Sequence, residues 1–572
     1  MRFGEKIEPM FKRIFGNSAF RSVGDYAKEN KWLGAVLLYI ILLNLTTCIS
    51  FYIGKLNSTI GNPFIQALWG WLALFGICLL PGGRIAKALL SLLVIVQSVI
   101  SIFTIFLSLV FSLPLRADAF AVLAVSSPQE VREFCSIFLS AKVWGSLLAG
   151  VALTVSVLLA LWKNSIRRKV CLYGFALLLI LPQAINAIRL AAKNDLISIC
   201  FKNPASSLLY EFMTYRKSVD SISEMARHPQ IPAGIDNHQS DENFTAVFVI
   251  GESATRFHHS IYGYPRKTSP QLEAVKDKLF IFTDVITAFP HTVASLSFML
   301  TTEDTQNPQD YRYTMLDVFK AAGFKIYFCS NQFRWGEYDS PISILTAHAD
   351  KRIYLQERSP GAQDDGLLEL FSAALADKGR KLVLLHLIGS HAHYEKRSPE
   401  KFKAFNRTNR VKAPYPEVDK WREVDEYDNS ILFTDSVLRR IIDRLERYPA
   451  PSFMLYCSDH GDFPEHVDQE PRSPSSASPE FYEIPFVFYA NPGFRDRYGA
   501  FLADVGKNVD KPFMTDHIMY PILSAAQISF DGFPRRFDLF ASDYVPPPER
   551  KAGHSNVLYR TRTNPYNHPD RN

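Results

Sequence analysis

Phe244-Thr-Ala-Val-Phe-Val-Ile-Gly-Glu252-Ser-Ala-Thr-Arg256 opens the part of the chain that decides the fold. An apolar run of strand length ends on Gly251 and delivers an acid, Glu252. Further along, Phe289-Pro-His-Thr292 places a hydroxyl in a polar turn. Working outward, strand-like runs recur at Ala246–Ile250, Lys325–Cys329, Leu382–Leu387, Phe453–Cys457 and Pro485–Tyr489. Helical periodicity lies between them: Met315–Ala322 stops at Gly323, and Leu367–Lys378 stops at Gly379. Ile431, Leu432, Val437, Leu438, Ile441, Ile442 and Leu445 make one apolar helix face, and Met514–Ile528 reads as a last helix. Strands alternating with helices predict an α/β sandwich with a mainly parallel sheet.

Four of the strand-like runs are each followed at once by polar residues: Gly251-Glu252-Ser253, Ser330-Asn331, Gly389-Ser390-His391 and Ser458-Asp459-His460-Gly461-Asp462. Open α/β sheets bind ligands beyond the carboxyl ends of their strands, so the four clusters together mark one site. Glu252, Asp459 and His460 supply two carboxylates and an imidazole, a donor set suited to zinc with one coordination position left open. A hydroxyl entering that position loses its proton more readily, as bound water does. Thr292 is the candidate hydroxyl, and attack on phosphorus would give a covalent phospho-threonine. Ser295 and Ser297 compete for that role. Taken singly, Thr292 also reads as a helix cap, Asp459-His460-Gly461 as a turn, and His391 and His393 as surface histidines.

At 572 residues the chain exceeds one ordinary domain, and its first 190 residues are dominated by apolar runs. Five segments, about 32–53, 64–81, 87–113, 143–162 and 170–190, are each near the ~20 residues of a spanning helix. The first begins near Trp32 and is long enough to span, so no cleavable signal peptide is expected. Lys and Arg are concentrated in the N-terminal tail, at Arg84 and Lys87, and at Lys163, Arg167, Arg168 and Lys169. The positive-inside rule puts these in the cytoplasm, which leaves everything after residue 190 outside it. The predicted organisation is a five-helix transmembrane domain (1–190), a linker with interfacial helices (191–240) and an outer α/β domain (241–572), the boundary falling at Pro229, Pro232 and Gly234. In the outer loop 114–142, Glu130 either solvates the loop or meets a cationic lipid head group. The net charge of +6 is modest, and no nucleic-acid partner is expected. None of the seven cysteines has a paired spacing, and Cys329 and Cys457 read as small buried hydrophobes.

As a set, Val249-Ile-Gly-Glu-Ser253, Tyr262-Gly-Tyr-Pro-Arg-Lys-Thr-Ser-Pro270, Thr292-Val-Ala-Ser-Leu296, Gly389-Ser-His391, Tyr427-Asp-Asn-Ser-Ile-Leu-Phe-Thr-Asp435 and Ser458-Asp-His-Gly-Asp462 resemble the phosphoethanolamine transferases of Gram-negative envelopes. That family is a branch of the alkaline phosphatase and sulfatase superfamily. The resemblance implies an alkaline-phosphatase-like outer domain in the periplasm, held by a multi-pass anchor in the inner membrane. It implies that Glu252, Thr292, Asp459 and His460 bind the catalytic zinc, with Thr292 as nucleophile. It further implies that His391 and His466 face the substrate or a second zinc, and that Asn331 and Glu130 match substrate-contact positions. The implied donor is phosphatidylethanolamine, the acceptor a lipid A phosphate or a core sugar of lipopolysaccharide, and the protein a monomer.

The likeness has departures. Only Cys200, Cys329 and Cys457 lie beyond the last expected span, so the disulfide framework of lipid A-modifying and mobile colistin resistance enzymes is missing. The chain looks closer to members that modify the lipopolysaccharide core. A family lysine shortly after Asn331 is absent, with Arg334 as its substitute, and the Asp462 position is often Glu. No Cys-x-Pro-x-Arg signature appears, which argues against an arylsulfatase. The rivals are a phosphoglycerol transferase or phosphodiesterase of the same superfamily, and a non-catalytic envelope scaffold that keeps the fold.

Overall fold

The computed structural model describes residues 141–163, 204–238, 241–306, 311–332, 341–406, 421–464, 478–553 and 557–559, with a few positions between 84 and 102. Glu130, His466, Arg334 and most of the expected spans lie outside the described residues. Among the described residues no helix is long and apolar enough to cross a membrane, so the number of spans remains an expectation. Of the fourth expected span, 143–162, helix α1 (Ala141–Lys163) is described. Trp144, Leu148, Val151, Val155, Leu159 and Trp162 stand exposed along it at spacings of three and four, one stripe of the helix. Two of its hydroxyls bond the helix backbone, Thr154 Oγ1 donating to Gly150 O at 2.7 Å and Ser156 Oγ to Ala152 O at 2.8 Å.

The chain divides into two compact units; α1 belongs to the first, and everything from Thr214 onward to the second. The second unit is built on a seven-stranded sheet. In chain order its strands are β1 (Phe244–Gly251), β2 (Leu279–Ile281), β3 (Lys325–Ser330), β4 (Lys351–Tyr354), β5 (Arg380–His386), β6 (Ser452–Ser458) and β7 (Phe486–Ala490). Across the sheet they run β2-β7-β6-β1-β5-β3-β4. The five strands from β6 to β4 are parallel, and β7 is antiparallel to both of its neighbours. The sheet is thus mixed, with one reversed strand near its edge.

The central strands are continuous apolar runs because both faces are covered. Ala246, Phe248 and Ile250 of β1 point into one core with Leu382, Leu384, Phe453 and Leu455. Val247 and Val249 point the other way, with Val383, Leu385 and Met454. Helix α2 (Pro204–Arg227) presents Val219, Ile222, Met225 and Ala226 to Ile344 and Leu345. Helix α3 (Thr292–Leu300) starts at the site described below. Helix α4 (Met315–Ala321) opens on a capping box, Thr314 and Asp317 each bonding the other's backbone N–H. Helix α5 (Leu367–Ala376) ends before Gly379, and α6 (Trp421–Glu446) buries Val437, Leu438, Ile441, Ile442 and Leu445 against the second face.

Two expectations change. The expected helix Met514–Ile528 breaks into a strand Phe513–Met514, a turn Thr515–His517, a helix Met519–Ala525 and a strand Ile528–Ser529. The reason is tertiary pairing: Phe513 lies against Val285 and Ile528 against Asn237, and these ladders override helical propensity at both ends. The edge strands β2 and β4, three and four residues long, are absent from the sequence reading.

Candidate metal centre

Strands β6, β1, β5 and β3 are adjacent and parallel, so their carboxyl ends open on one edge of the sheet. The turns beyond those ends are tied together by backbone hydrogen bonds: Asp459 N–H to Gly251 O at 3.1 Å, Ser390 N–H to Glu252 O at 2.9 Å, and Asn331 N–H to His386 O at 2.8 Å. Ser253, just past Glu252, takes a left-handed conformation with φ 56°, which is costly for a residue with a Cβ. It is held there by its N–H donating to Asp459 Oδ1 at 3.0 Å and by Tyr427 O–H donating to its carbonyl at 2.7 Å. At Gly389, φ 47°, a Cβ would lie 2.8 Å from Glu252 O, so only glycine lets the β5 turn approach this closely.

Glu252, Asp459 and His460 converge, one ligand atom from each within 4.8 Å of the others. His460 Nε2 is 3.4 Å from Glu252 Oε1 and 3.6 Å from Asp459 Oδ2. The His460 tautomer follows from chemistry. Its Nδ1 is 2.7 Å from Gly461 O, which can only accept, so the Nδ1 proton points there and Nε2 faces the carboxylates. Thr292 Oγ1 lies 3.2 Å from both Glu252 oxygens and 3.4 Å from His460 Nε2. Thr292 is the first residue of α3, after His291, so the hydroxyl stands at a helix N-terminus where anions are favoured. Ser295 is engaged elsewhere: it is buried, and its hydroxyl donates to Phe289 O at 2.7 Å. Ser297 is buried further along α3.

The electrostatics describe a site short of positive charge. Burial pushes the Glu252 carboxyl up, but the hydrogen bond and charge of His460, with His391 and His386 adding, hold it well below the usual carboxylate range. Burial and the Glu252 charge push Asp459 up. Burial works against the His460 cation, yet Asp459 and Glu252 raise it to about 10. Asp459 Oδ2 is buried with no hydrogen-bond partner. A buried carboxylate oxygen without a partner is expensive. A divalent cation would supply what that oxygen lacks and displace the proton on His460. The residues therefore fit a metal, and two carboxylates with one imidazole suit zinc.

The other expected site residues fall differently. His391 is close enough to Glu252 to act on its charge, and Arg397 Nε donates to the His391 carbonyl at 3.0 Å. Asn331 is fully buried, and its amide is engaged away from the cluster: Nδ2 donates to Asp364 Oδ1 at 2.8 Å, and Oδ1 accepts from Gln356 at 2.8 Å. Asp462 accepts from Tyr394 O–H at 2.6 Å. Two residues at the site were given no role in the sequence reading, although Tyr427 opens one of its motifs. Gln332 Nε2 donates to Glu252 Oε2 at 2.9 Å, and Tyr427 braces Ser253 from α6. Gln332 could have been found only as the next polar residue after a strand end.

A family model described as Sulfatase matches residues 245–528. Phosphoethanolamine transferase EptC of Escherichia coli K12 is 26% identical over 538 residues, 88% of this chain and 90% of that protein. Phosphoethanolamine transferase CptA of Salmonella typhimurium is 28% identical over 539 residues, again 88% and 90%. The crystal structure of the C-terminal periplasmic domain of Escherichia coli EptC in complex with Zn is 26% identical with a TM-score of 0.54, covering 58% of this chain and 96% of that one. The integral membrane protein lipooligosaccharide phosphoethanolamine transferase A of Neisseria meningitidis shares the fold at 19% identity, with a TM-score of 0.64 over 91% of this chain and 99% of that one. With an alkaline-phosphatase-like domain of the sulfatase family and relatives named phosphoethanolamine transferases over most of its length, the chain is a transferase enzyme that resembles the phosphoethanolamine transferases of the alkaline phosphatase superfamily.

Proposed function

We propose that the chain moves phosphoethanolamine from phosphatidylethanolamine to a lipopolysaccharide acceptor, a core sugar or a lipid A phosphate, through a phospho-threonine on Thr292. The observation that carries this reading is the position of Thr292 Oγ1, 3.2 Å from Glu252 and 3.4 Å from His460 at the start of a helix. Glu252, Asp459, His460 and Thr292 would hold zinc, which when bound supplies positive charge to phosphoryl oxygens and acidity to a nearby hydroxyl. The chain's own groups do the rest. Glu252 accepts the Thr292 hydrogen bond and so orients the hydroxyl. The α3 N-terminus favours the anionic phosphoryl group. Thr292 Oγ, giving up its proton, forms a bond to phosphorus as the bond to the glycerol oxygen breaks, and that oxygen takes up a proton to leave as diacylglycerol. An acceptor oxygen, losing its proton, then takes the phosphoethanolamine from Thr292. His391, beside Glu252, faces the substrate or a second zinc, and His466 and Glu130 are further substrate contacts, whereas the Asn331 amide is taken up within the protein.

A lipid donor has to come from a bilayer, which suits an inner-membrane anchor of five spans over 1–190, a linker over 191–240 and a periplasmic catalytic domain over 241–572. The test is direct. Incubated with phosphatidylethanolamine, the protein should carry a phosphoethanolamine adduct on Thr292 by mass spectrometry. An unmodified Thr292 in an enzyme that still turns over would end the reading, and consumption of phosphatidylglycerol in its place would favour a phosphoglycerol transferase. Lipopolysaccharide from cells with and without the gene would identify the acceptor by mass.

A further inference from the structure

We infer that Gln332 is a positioning residue that holds Oε2 of Glu252 and so fixes the orientation of that carboxylate at the metal site. The inference rests on the reading of Glu252, Asp459 and His460 as metal ligands. The two Glu252 oxygens are not equivalent. Oε1 lies 3.4 Å from His460 Nε2 and accepts from Ser253 Oγ at 2.8 Å, while Thr292 Oγ1 is 3.2 Å from both oxygens. Oε2 accepts from Gln332 Nε2 at 2.9 Å. The same Gln332 nitrogen also donates to Leu387 O, at 3.3 Å, so the amide bridges the end of β5 and the acid that follows β1.

Gln332 is itself fixed. Its backbone N–H donates to Ser330 Oγ at 3.1 Å, and Ser330 Oγ lies 3.1 Å from His386 Nδ1. One residue earlier, Asn331 is locked to Asp364, Ala362 and Gln356, and Asp364 in turn accepts from the N–H groups of Ile388 at 2.8 Å and Gly389 at 2.9 Å. Asn331 is thus the rivet that joins the ends of β3 and β5, and Gln332 is the arm that rivet holds out to Glu252. A carboxylate whose second oxygen is held cannot swing about its terminal torsion, which is otherwise broad. Outer hydrogen-bond partners of metal ligands act in this way, and their loss costs on the order of 10- to 100-fold in metal affinity.

Zinc affinity of the full chain in detergent, measured by competition with a chromogenic chelator, tests this without reading turnover. Gln332→Leu keeps the bulk and removes the donor; Gln332→Ala removes both and serves as the second variant. Zinc should bind both variants about 10- to 100-fold more weakly than wild type, while the melting midpoint of the metal-free protein stays where it was. Wild-type affinity in the variants would overturn the inference alone, as would a lowered metal-free midpoint with unchanged zinc affinity, the mark of a purely structural glutamine. A wild-type chain that binds no zinc would overturn the metal-site reading and this inference with it.

Discussion

Two clusters of buried charge lie in the same domain and are built on opposite principles. In the first, Glu252 and Asp459 face a single imidazole, and Asp459 Oδ2 has no hydrogen-bond partner. In the second, Arg266 donates to Asp428 Oδ2 and to Asp425 Oδ1, both at 2.7 Å. Asp428 also accepts from His258 Nδ1 at 2.7 Å and from Tyr264 O–H at 2.8 Å. Aromatic rings flank the guanidinium, with Phe405 at 5.3 Å and Trp421 at 5.6 Å from its carbon. The second cluster is supplied with its own cation and ties the segment after β1 to α6. The first has only the His460 imidazole for two carboxylates and leaves Asp459 Oδ2 without a hydrogen bond. Where the chain provides the counter-charge, the cluster holds the fold; where it withholds it, a metal has somewhere to go.

The comparison breaks most sharply if activity and stability do not separate. Thr292→Ala should cut turnover by at least ~10³-fold, about 4 kcal/mol in the barrier. The same variant should melt as the wild type does, because Thr292 caps nothing and its hydroxyl meets only the first cluster. A steady-state assay with phosphatidylethanolamine beside a melting curve would check both. Next in size, Arg266→Met should leave two buried carboxylates without their cation, a loss of ~3–5 kcal/mol. That should appear as a fall in the melting midpoint of the full chain of roughly 5–10 °C. A variant that melts normally but has lost activity would put the second cluster in the chemistry and erase the distinction.

The first cluster was partly legible, while the second was read only as motif residues. The strands β1, β3, β5 and β6 announced themselves because parallel strands buried on two faces are unbroken apolar runs, and the polar residues at their ends could be pooled into one site. Glu252, Thr292, His460 and Asp459 come together, with successive separations of 3.2, 3.4 and 3.6 Å, for that reason. The roles of Gln332 and of Tyr427, which opens a quoted motif, could not be read because each acts by reaching across the fold, from the end of β3 and from α6. The short strands β2 and β4 offer too few residues to show a period. Asn331 drew notice as a substrate contact, yet its amide bonds within the protein, a role that no spacing reveals.

A third prediction concerns histidines buried beside the clusters. His259 is buried, and burial, the largest influence, pushes it down to about 4 from an ordinary 6.5. His386, next to Glu252, is likewise pushed down to about 4 by burial. Between pH 6.5 and 4 the unfolded chain takes up protons that these folded imidazoles refuse. The stability they permit is therefore complete above pH 6.5 and falls away as the pH drops toward 4, by up to ~3 kcal/mol for each. Denaturation profiles over that range should show the decline, and His259→Asn should flatten its share of it. A decline that begins instead on raising the pH above 7 would contradict the sign.

The smallest expected effect is at the two cysteines. Cys457 directly precedes Ser458 and Asp459, so proximity alone would nominate it as a fifth ligand or a redox partner. Its side chain points the wrong way for that: it is fully buried in the apolar core with Phe453 and Leu455, and burial pushes its thiol well above the ordinary value. Cys329 is buried on the other face, its thiol pushed up to about 12. The two sit on β6 and β3, with β1 and β5 between them. Three strand spacings of ~4.8 Å separate their backbones by about 14 Å, and a disulfide requires roughly 4.4–6.8 Å. In an oxidising compartment both should therefore remain thiols. A maleimide reagent should leave Cys329 and Cys457 unlabelled in the native protein and label both after unfolding, with zinc affinity unchanged in Cys457→Ala. Rapid native labelling of Cys457, or a loss of zinc in that variant, would show that the boundary between the first cluster and the core runs on the other side of Ser458.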